Sequence, residues 1–360
     1  MITALALLGY AACAAWWAPA LLAPLTRRGA SVRAGLAAWL AAMASVLVSA
    51  AVAIESSFRT VAADWPQLTQ ALCRSVAGGA CTPAVYRSAL YEGGVTALAA
   101  TLALLSAVAL WRYGRRVQRS RAQTRSHART ALLVGRALTG PASGIAGARA
   151  VMLDDPRPAA YCVAGRPAAI VVTSGALTVL DPPQLRAVLA HERAHLAHGH
   201  HVLATVTRAL AAALPVPLFT RGAAEVARLA EMSADDTAAR ANGRPPLAAA
   251  LIAIATGARY PSTRIAGAGH LGAGHPGPDY PDAGHPGAGP PGAGYQGTGH
   301  LSTSLPRGAL AATACAVPDR VERLLRPASR ASRTACTLAL TLTLTALAAA
   351  PPALTLLAAR

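Results

Sequence analysis

The chain has 360 residues, a formal net charge of +18 with no lysine among its basic residues, and a mean hydropathy of +0.39. That hydropathy excludes an ordinary soluble protein of this length; part of the chain must dissolve in lipid. Aromatic residues are only 4% of the sequence, too few for a base-stacking platform, so the arginine excess points to an anionic membrane surface and not to nucleic acid.

Four uncharged runs reach the roughly 20 apolar residues that cross a bilayer as a helix: Ile2 to Thr26, Ala34 to Ile54, Gly93 to Trp111 and Thr334 to Ala359. The first lacks the basic n-region of a signal peptide and reads as a span. The last carries Pro351 and Pro352 near its end, but Thr334 to Ala350 is long enough alone. Arginines gather after the first run (Arg27, Arg28, Arg33) and after the third (Arg112, Arg115, Arg116, Arg119, Arg121, Arg125, Arg129), whereas 55–92 mixes both signs. The positive-inside bias then puts 55–92 outside and 112–333 in the cytoplasm. Cys73 and Cys81 fall in the outside loop, where a disulfide is chemically permitted but not required.

The expected organisation is three membrane helices in 1–111, a basic linker over 112–130, a mixed α+β domain over 131–255, a low-complexity segment over 256–308, an amphipathic segment over 309–333 and a fourth membrane helix over 334–360. Within the domain, Ala150–Leu153, Tyr161–Ala164 and Ala169–Thr173 are β-prone runs separated by turn residues. A helix start follows: Asp181 as cap, Pro182 in the first turn and Gln184 completing a capping box. The Gly/Pro/Ala-rich stretch 256–308, with His270, His275, His285 and His300, cannot bury a core and reads as a flexible insertion. Val317–Leu325 has the pattern of a short amphipathic helix.

The chemistry lies on the capped helix. Val188-Leu189-Ala190-His191-Glu192-Arg193-Ala194-His195 contains H-E-x-x-H. Residues i and i+4 share a helix face, so His191 and His195 can reach one zinc ion, and Glu192 can take a proton from water at the open coordination position. A catalytic zinc needs a third protein ligand. Two candidates compete: Glu231, and a downstream histidine, either His201 at the metzincin spacing or His198 one turn on. The metzincin turn requires glycine at position 198, whereas the glycine is Gly199, so Glu231 is preferred. Asp235, one turn beyond Glu231, suits the N–H of a ligating histidine. The segment 202–219 is apolar apart from Arg208; the sequence fits either a membrane-dipping stretch or a core helix.

His191-Glu192-x-x-His195, then Glu231-x-x-Ala234-Asp235, preceded by Val172-Thr173-Ser174-Gly175-Ala176-Leu177, resembles the gluzincin membrane peptidases. These comprise the HtpX/Ste24-like (M48) and BlaR1/MecR1-like (M56) groups, and three helices before the domain with one after it is more similar to the second. The resemblance implies an α-helical membrane protein with about four spans and a gluzincin-like zincin domain. It implies one zinc per chain held by His191, His195 and Glu231, Glu192 as general base, and Asp235 behind the ligands. The strand over Ala169–Thr173 would line the cleft and pair with an extended peptide. The expected activity is zinc-dependent endoproteolysis of a cytoplasmic or membrane-proximal protein, with a transcriptional repressor as a substrate by analogy and no nucleic-acid partner. The penicillin-binding sensor of the antibiotic-responsive relatives is missing from the pattern, and no residue is assigned to the oxyanion; Arg320 and Arg323 are candidates, better suited to acidic groups or lipid phosphates. A rival reading is a membrane signalling protein with a structural zinc site that binds a partner without cutting it.

Overall fold

The computed structural model describes residues 2–27, 31–76, 83–138, 148–165, 168–268, 310–311 and 317–358. His270, His275, His285, His300, Cys81 and Cys315 lie outside these, as does the side chain of Cys73. In chain order the elements are α1 (Ile2–Arg27), α2 (Val32–Val76), α3 (Pro83–Val134), β1 (Arg136–Ala137), β2 (Ala148–Leu153), β3 (Ala160–Val163), β4 (Ala168–Thr173), α4 (Ser174–Val179), α5 (Pro182–Ala197), α6 (His200–Ala213), α7 (Pro217–Asn242), α8 (Arg244–Thr256), α9 (Ser262–Ala268), β5 (Leu310–Ala311), α10 (Val317–Leu325) and α11 (Arg330–Ala358). They divide into two compact units, one of 1–122, 197–234 and 327–360, the other of 123–196 and 235–326. The division runs through α7, which is one continuous helix.

The first unit is helical. Among the described residues three helices are long and apolar enough to cross a membrane, Thr3–Arg27, Val32–Thr60 and Arg330–Leu356. The expected run Gly93–Trp111 lies inside α3 but is not among them. The stretch 55–92, expected outside, is helical to Val76 and again from Pro83. Ala15, Leu22, Trp39, Met43 and Leu340 from the apolar helices pack with Leu218, Phe219, Val226 and Leu229 of α7, and Leu203 and Leu210 of α6 border the same core. The segment 202–219 therefore serves as a packed element of this unit. Close approach is built in: a Cβ on Gly222 would stand 2.1 Å from the Met43 side chain, and one on Gly35 would stand 3.2 Å from Leu229.

The prolines of α11 do not end it. Pro351 has no N–H to offer the carbonyl of Leu347 one turn back, which in lipid would strand an acceptor. Tyr10 Oη donates to that carbonyl at 2.9 Å and Ser45 Oγ at 3.0 Å, and the two hydroxyls are 2.8 Å apart.

In the second unit, five strands form a sheet in the order β1-β2-β4-β3-β5. β2 and β4 run parallel, with Val151 opposite Val171; β3 is antiparallel to β4, with Tyr161 opposite Val171. Alternation sorts the side chains. Ile170, Val172, Ala160 and Cys162 pack with Val188 and Leu189 of α5 and Ala250, Ala253 and Ile254 of α8. Val171, Val151, Tyr161 and Val163 turn to the other face, against Ala128 and Ala131 near the end of α3. The three expected strands are thus found within one or two residues. The role given to the run 169–173 is corrected: β4 is central, with β2 on one side and β3 on the other, so its backbone has no edge for a peptide to join. β1 and β5, two residues each, are too short to show a periodic pattern.

The Thr173-Ser174-Gly175 turn joins the sheet to α4. Thr173 Oγ1 accepts from Ala176 N, Ser174 Oγ donates to the Asp155 carbonyl, and Gly175 N donates to the same carbonyl at 2.9 Å. A Cβ on Gly175 would fall 2.2 Å from the Pro156 carbonyl oxygen, a backbone atom unable to swing aside. Gly175→Ala is expected to destabilise the domain by about 1–3 kcal/mol, the usual cost of overpacking, read as a lowered thermal midpoint of the purified chain.

α8 ends at Thr256, capped by Gly257 at φ 70°, but order continues into the stretch expected as an insertion. Tyr260 and Ile265 pack with Leu247, Leu251, Val321 and Leu324. α10 matches its expected span residue for residue.

Candidate metal centre

α5 opens with a complete capping box: Gln184 N donates to Asp181 Oδ1 at 2.9 Å, and Asp181 N to Gln184 Oε1 at 3.1 Å. The Gln184 amide also donates to the Tyr260 carbonyl at 2.7 Å, which fixes the start of the helix against the chain beyond α8. From that start, one face of α5 presents His191 and His195 inward, 2% and 1% exposed, beside the fully buried Glu192.

The two imidazoles meet edge to face, with ring centroids 4.7 Å apart and planes at 71°. Their Nε2 atoms face each other at 3.0 Å. Two nitrogens sharing one tetrahedral zinc at about 2.0–2.1 Å are about 3.3 Å apart, so the pair is close to the spacing a metal requires. His191 Nδ1 stands 3.0 Å from Asp235 Oδ1, which assigns the proton to Nδ1 and leaves the Nε2 lone pair facing His195. Glu231 sits one turn before Asp235 on α7. His191, His195 and Glu231 each offer a ligand atom, all within 4.8 Å of one another, and all three residues are buried. Two nitrogens and one carboxylate oxygen form a donor set that fits zinc.

Asp235 is the pivot behind this cluster. Arg320 of α10 grips it bidentately, Nε to Oδ2 at 2.8 Å and Nη2 to Oδ1 at 2.6 Å, with both residues buried. Burial alone would push the Asp235 carboxyl up; hydrogen bonds and charge from Arg320, then from His191, outweigh it and hold the group down at about 2. Next to it, Arg323 Nη2 donates to Asp236 Oδ2 at 2.8 Å. Both arginines weighed as oxyanion donors thus contact carboxylates. The Arg320 clamp itself was hidden in the sequence, because 85 residues separate the partners.

The rival third ligands are not brought in. The chain turns at Gly199, at φ 63°, and His200 and His201 open α6; His198 stacks on His200 at 5.4 Å. Among the described residues, the metal-binding cluster contains none of His198, His200 and His201. Nearer the start of α7, buried Glu225 accepts from Arg27 at 3.1 Å and from Arg228 Nε at 2.9 Å, holding this helix to the end of α1.

Residues 131–228 match the model of Peptidase family M48. The M48 match takes in the H-E-x-x-H helix and stops three residues before Glu231, so the case for that ligand is geometric. The chain is also similar to proteins named protease HtpX homolog: 38% identical over 74 residues to that of Acidiphilium cryptum, and 32% over 74 residues to that of Ralstonia pickettii. A third, from Burkholderia thailandensis, is 34% identical over 68 residues. These stretches cover 20%, 20% and 18% of this chain and 26%, 26% and 24% of the relatives, so the chain matches only about a quarter of their length. No solved structure matches. The M48 match, the relatives and the His-His-Glu cluster together support a metallopeptidase.

Proposed function

We propose that this chain is a membrane-embedded zinc metalloendopeptidase. The observation that carries the reading is the buried convergence of His191, His195 and Glu231, with Asp235 fixing the tautomer of His191. A zinc ion held there would supply Lewis-acid activation of water and of the peptide carbonyl. The chain's own residues do the rest. His191, His195 and Glu231 hold the ion, and Asp235, backed by Arg320, keeps the Nδ1 proton of His191 in place. Glu192 accepts the proton of the attacking water and returns it to the leaving amine nitrogen.

The substrate is a protein, cytoplasmic or close to the membrane. Arginines after the first and third apolar runs support a cytoplasmic domain. The BlaR1/MecR1-like (M56) layout, with α3 as a further span, and a repressor substrate rest on the resemblance of helix order alone. The test is cleavage of unfolded casein by the purified, zinc-loaded chain. Activity is expected to disappear on chelation and return on adding zinc. Absence of cleavage by a chain that holds one zinc per molecule would leave a non-catalytic centre.

A further inference from the structure

α3 is 52 residues long, about 78 Å as a straight helix, against about 40–45 Å for a whole bilayer. With its apolar run 93–111 in the bilayer, a large part of it would lie outside the hydrocarbon. At 100° per residue, Leu104, Leu105, Val108 and Trp111 fall on the same side of the helix as Arg112, Arg115, Arg116 and Arg119, all within an arc of about 140°. The four apolar residues of this face are open, at 65%, 59%, 43% and 59% exposure, and the four arginines are exposed. From Leu104 to Arg119 is about 22 Å along the axis, the depth of one leaflet including its headgroups. The Arg115 guanidinium lies 4.7 Å from the centre of the Trp111 ring, at the border between the two chemistries.

We propose that this face of α3 is a binding surface for an anionic phospholipid: acyl chains along Leu104, Leu105 and Val108, the glycerol level at Trp111, and the phosphate on Arg112, Arg115, Arg116 and Arg119. Arginine suits that position because its planar fork bonds phosphate oxygens bidentately. Tryptophan suits the glycerol level because its ring is apolar with one polar edge. Charge decides the class of lipid. Four arginines on one face favour a headgroup that keeps its negative charge, such as phosphatidylglycerol, over phosphatidylcholine, whose choline cancels it. The surface owes nothing to the metal centre.

The experiment uses the purified full chain in neutral detergent. Lipid retention is counted by native mass spectrometry during titration with phosphatidylglycerol or phosphatidylcholine of identical acyl chains. The wild type is expected to retain phosphatidylglycerol at least about tenfold more tightly. Arg115→Gln with Arg119→Gln should erase most of that preference. Arg121→Gln with Arg125→Gln, the same loss of charge from outside this arc, about 150° and 110° from its centre, should keep it. Equal retention of the two lipids by the wild type, or equal loss in the two double variants, would overturn the proposal. So would full displacement by inorganic phosphate at the lipid's own concentration, which marks a plain anion site. Each variant is accepted only with an unchanged thermal midpoint; if the first pair fails to fold, Arg112→Gln with Arg116→Gln replaces it.

Discussion

Glu192→Gln is expected to leave the metal bound and to lower peptide hydrolysis by about two to four orders of magnitude, the usual contribution of a positioned general base. The residue is fully buried beside His191, and glutamine keeps its volume and its place in α5, so the lost activity cannot be ascribed to a cavity. It is not one of the three clustered donors, so metal content should stay at the wild-type level. Metal per chain and turnover of unfolded casein are measured on the same preparation. Wild-type turnover in the variant would dismiss Glu192 as the base.

Asp235→Ala should have the largest effect on stability. It removes the bidentate carboxylate that Arg320, 3% exposed, now grips, and the orienting acceptor from His191. Breaking a buried pair by removing one member costs about 3–5 kcal/mol, because the remaining charge stays buried and loses its opposite charge. Metal affinity should fall by about 10–100-fold as well, since the acceptor behind a ligating histidine is lost. Adding Arg320→Met removes the buried guanidinium that has lost its carboxylate and is expected to restore part of the thermal midpoint but none of the metal affinity. That split separates the role of Asp235 in stability from its role at the metal. The pH dependence has a definite sign. The folded carboxyl is held at about 2, below its ordinary value of 3.8. Its contribution is therefore complete above pH 3.8 and is lost as pH falls toward 2, a loss that Asp235→Ala should abolish in an acid-unfolding curve.

Much of the site was legible because its signals are local. The capping box, the i and i+4 histidines and the Glu231–Asp235 turn each span five residues or fewer, and the structure places them as the spacing requires. The strands were legible for the same reason: β4 is apolar on both faces, as a central strand must be. What escaped is non-local. Nothing in Arg320 itself distinguishes a partner for Asp235 from a solvated arginine, and the choice is made by α10 docking through Val321 and Leu324. Sheet order is equally invisible in a list of strands. The run 169–173 looked suited to receive a peptide until β2 and β3 took both its edges. Ile265, in a stretch dominated by glycine and alanine, finds a core only because α8 and α10 present one.

The carbonyl that Pro351 leaves open makes three helices depend on a single imino acid. Tyr10 and Ser45 act as surrogate donors for an amide that proline cannot supply, so their value is conditional on it. Restoring an amide there with Pro351→Ala would make both hydroxyls redundant. A defect in helix assembly caused by Tyr10→Phe should then vanish in the combined variant, a case of one substitution curing another at a distance of 341 positions in the chain.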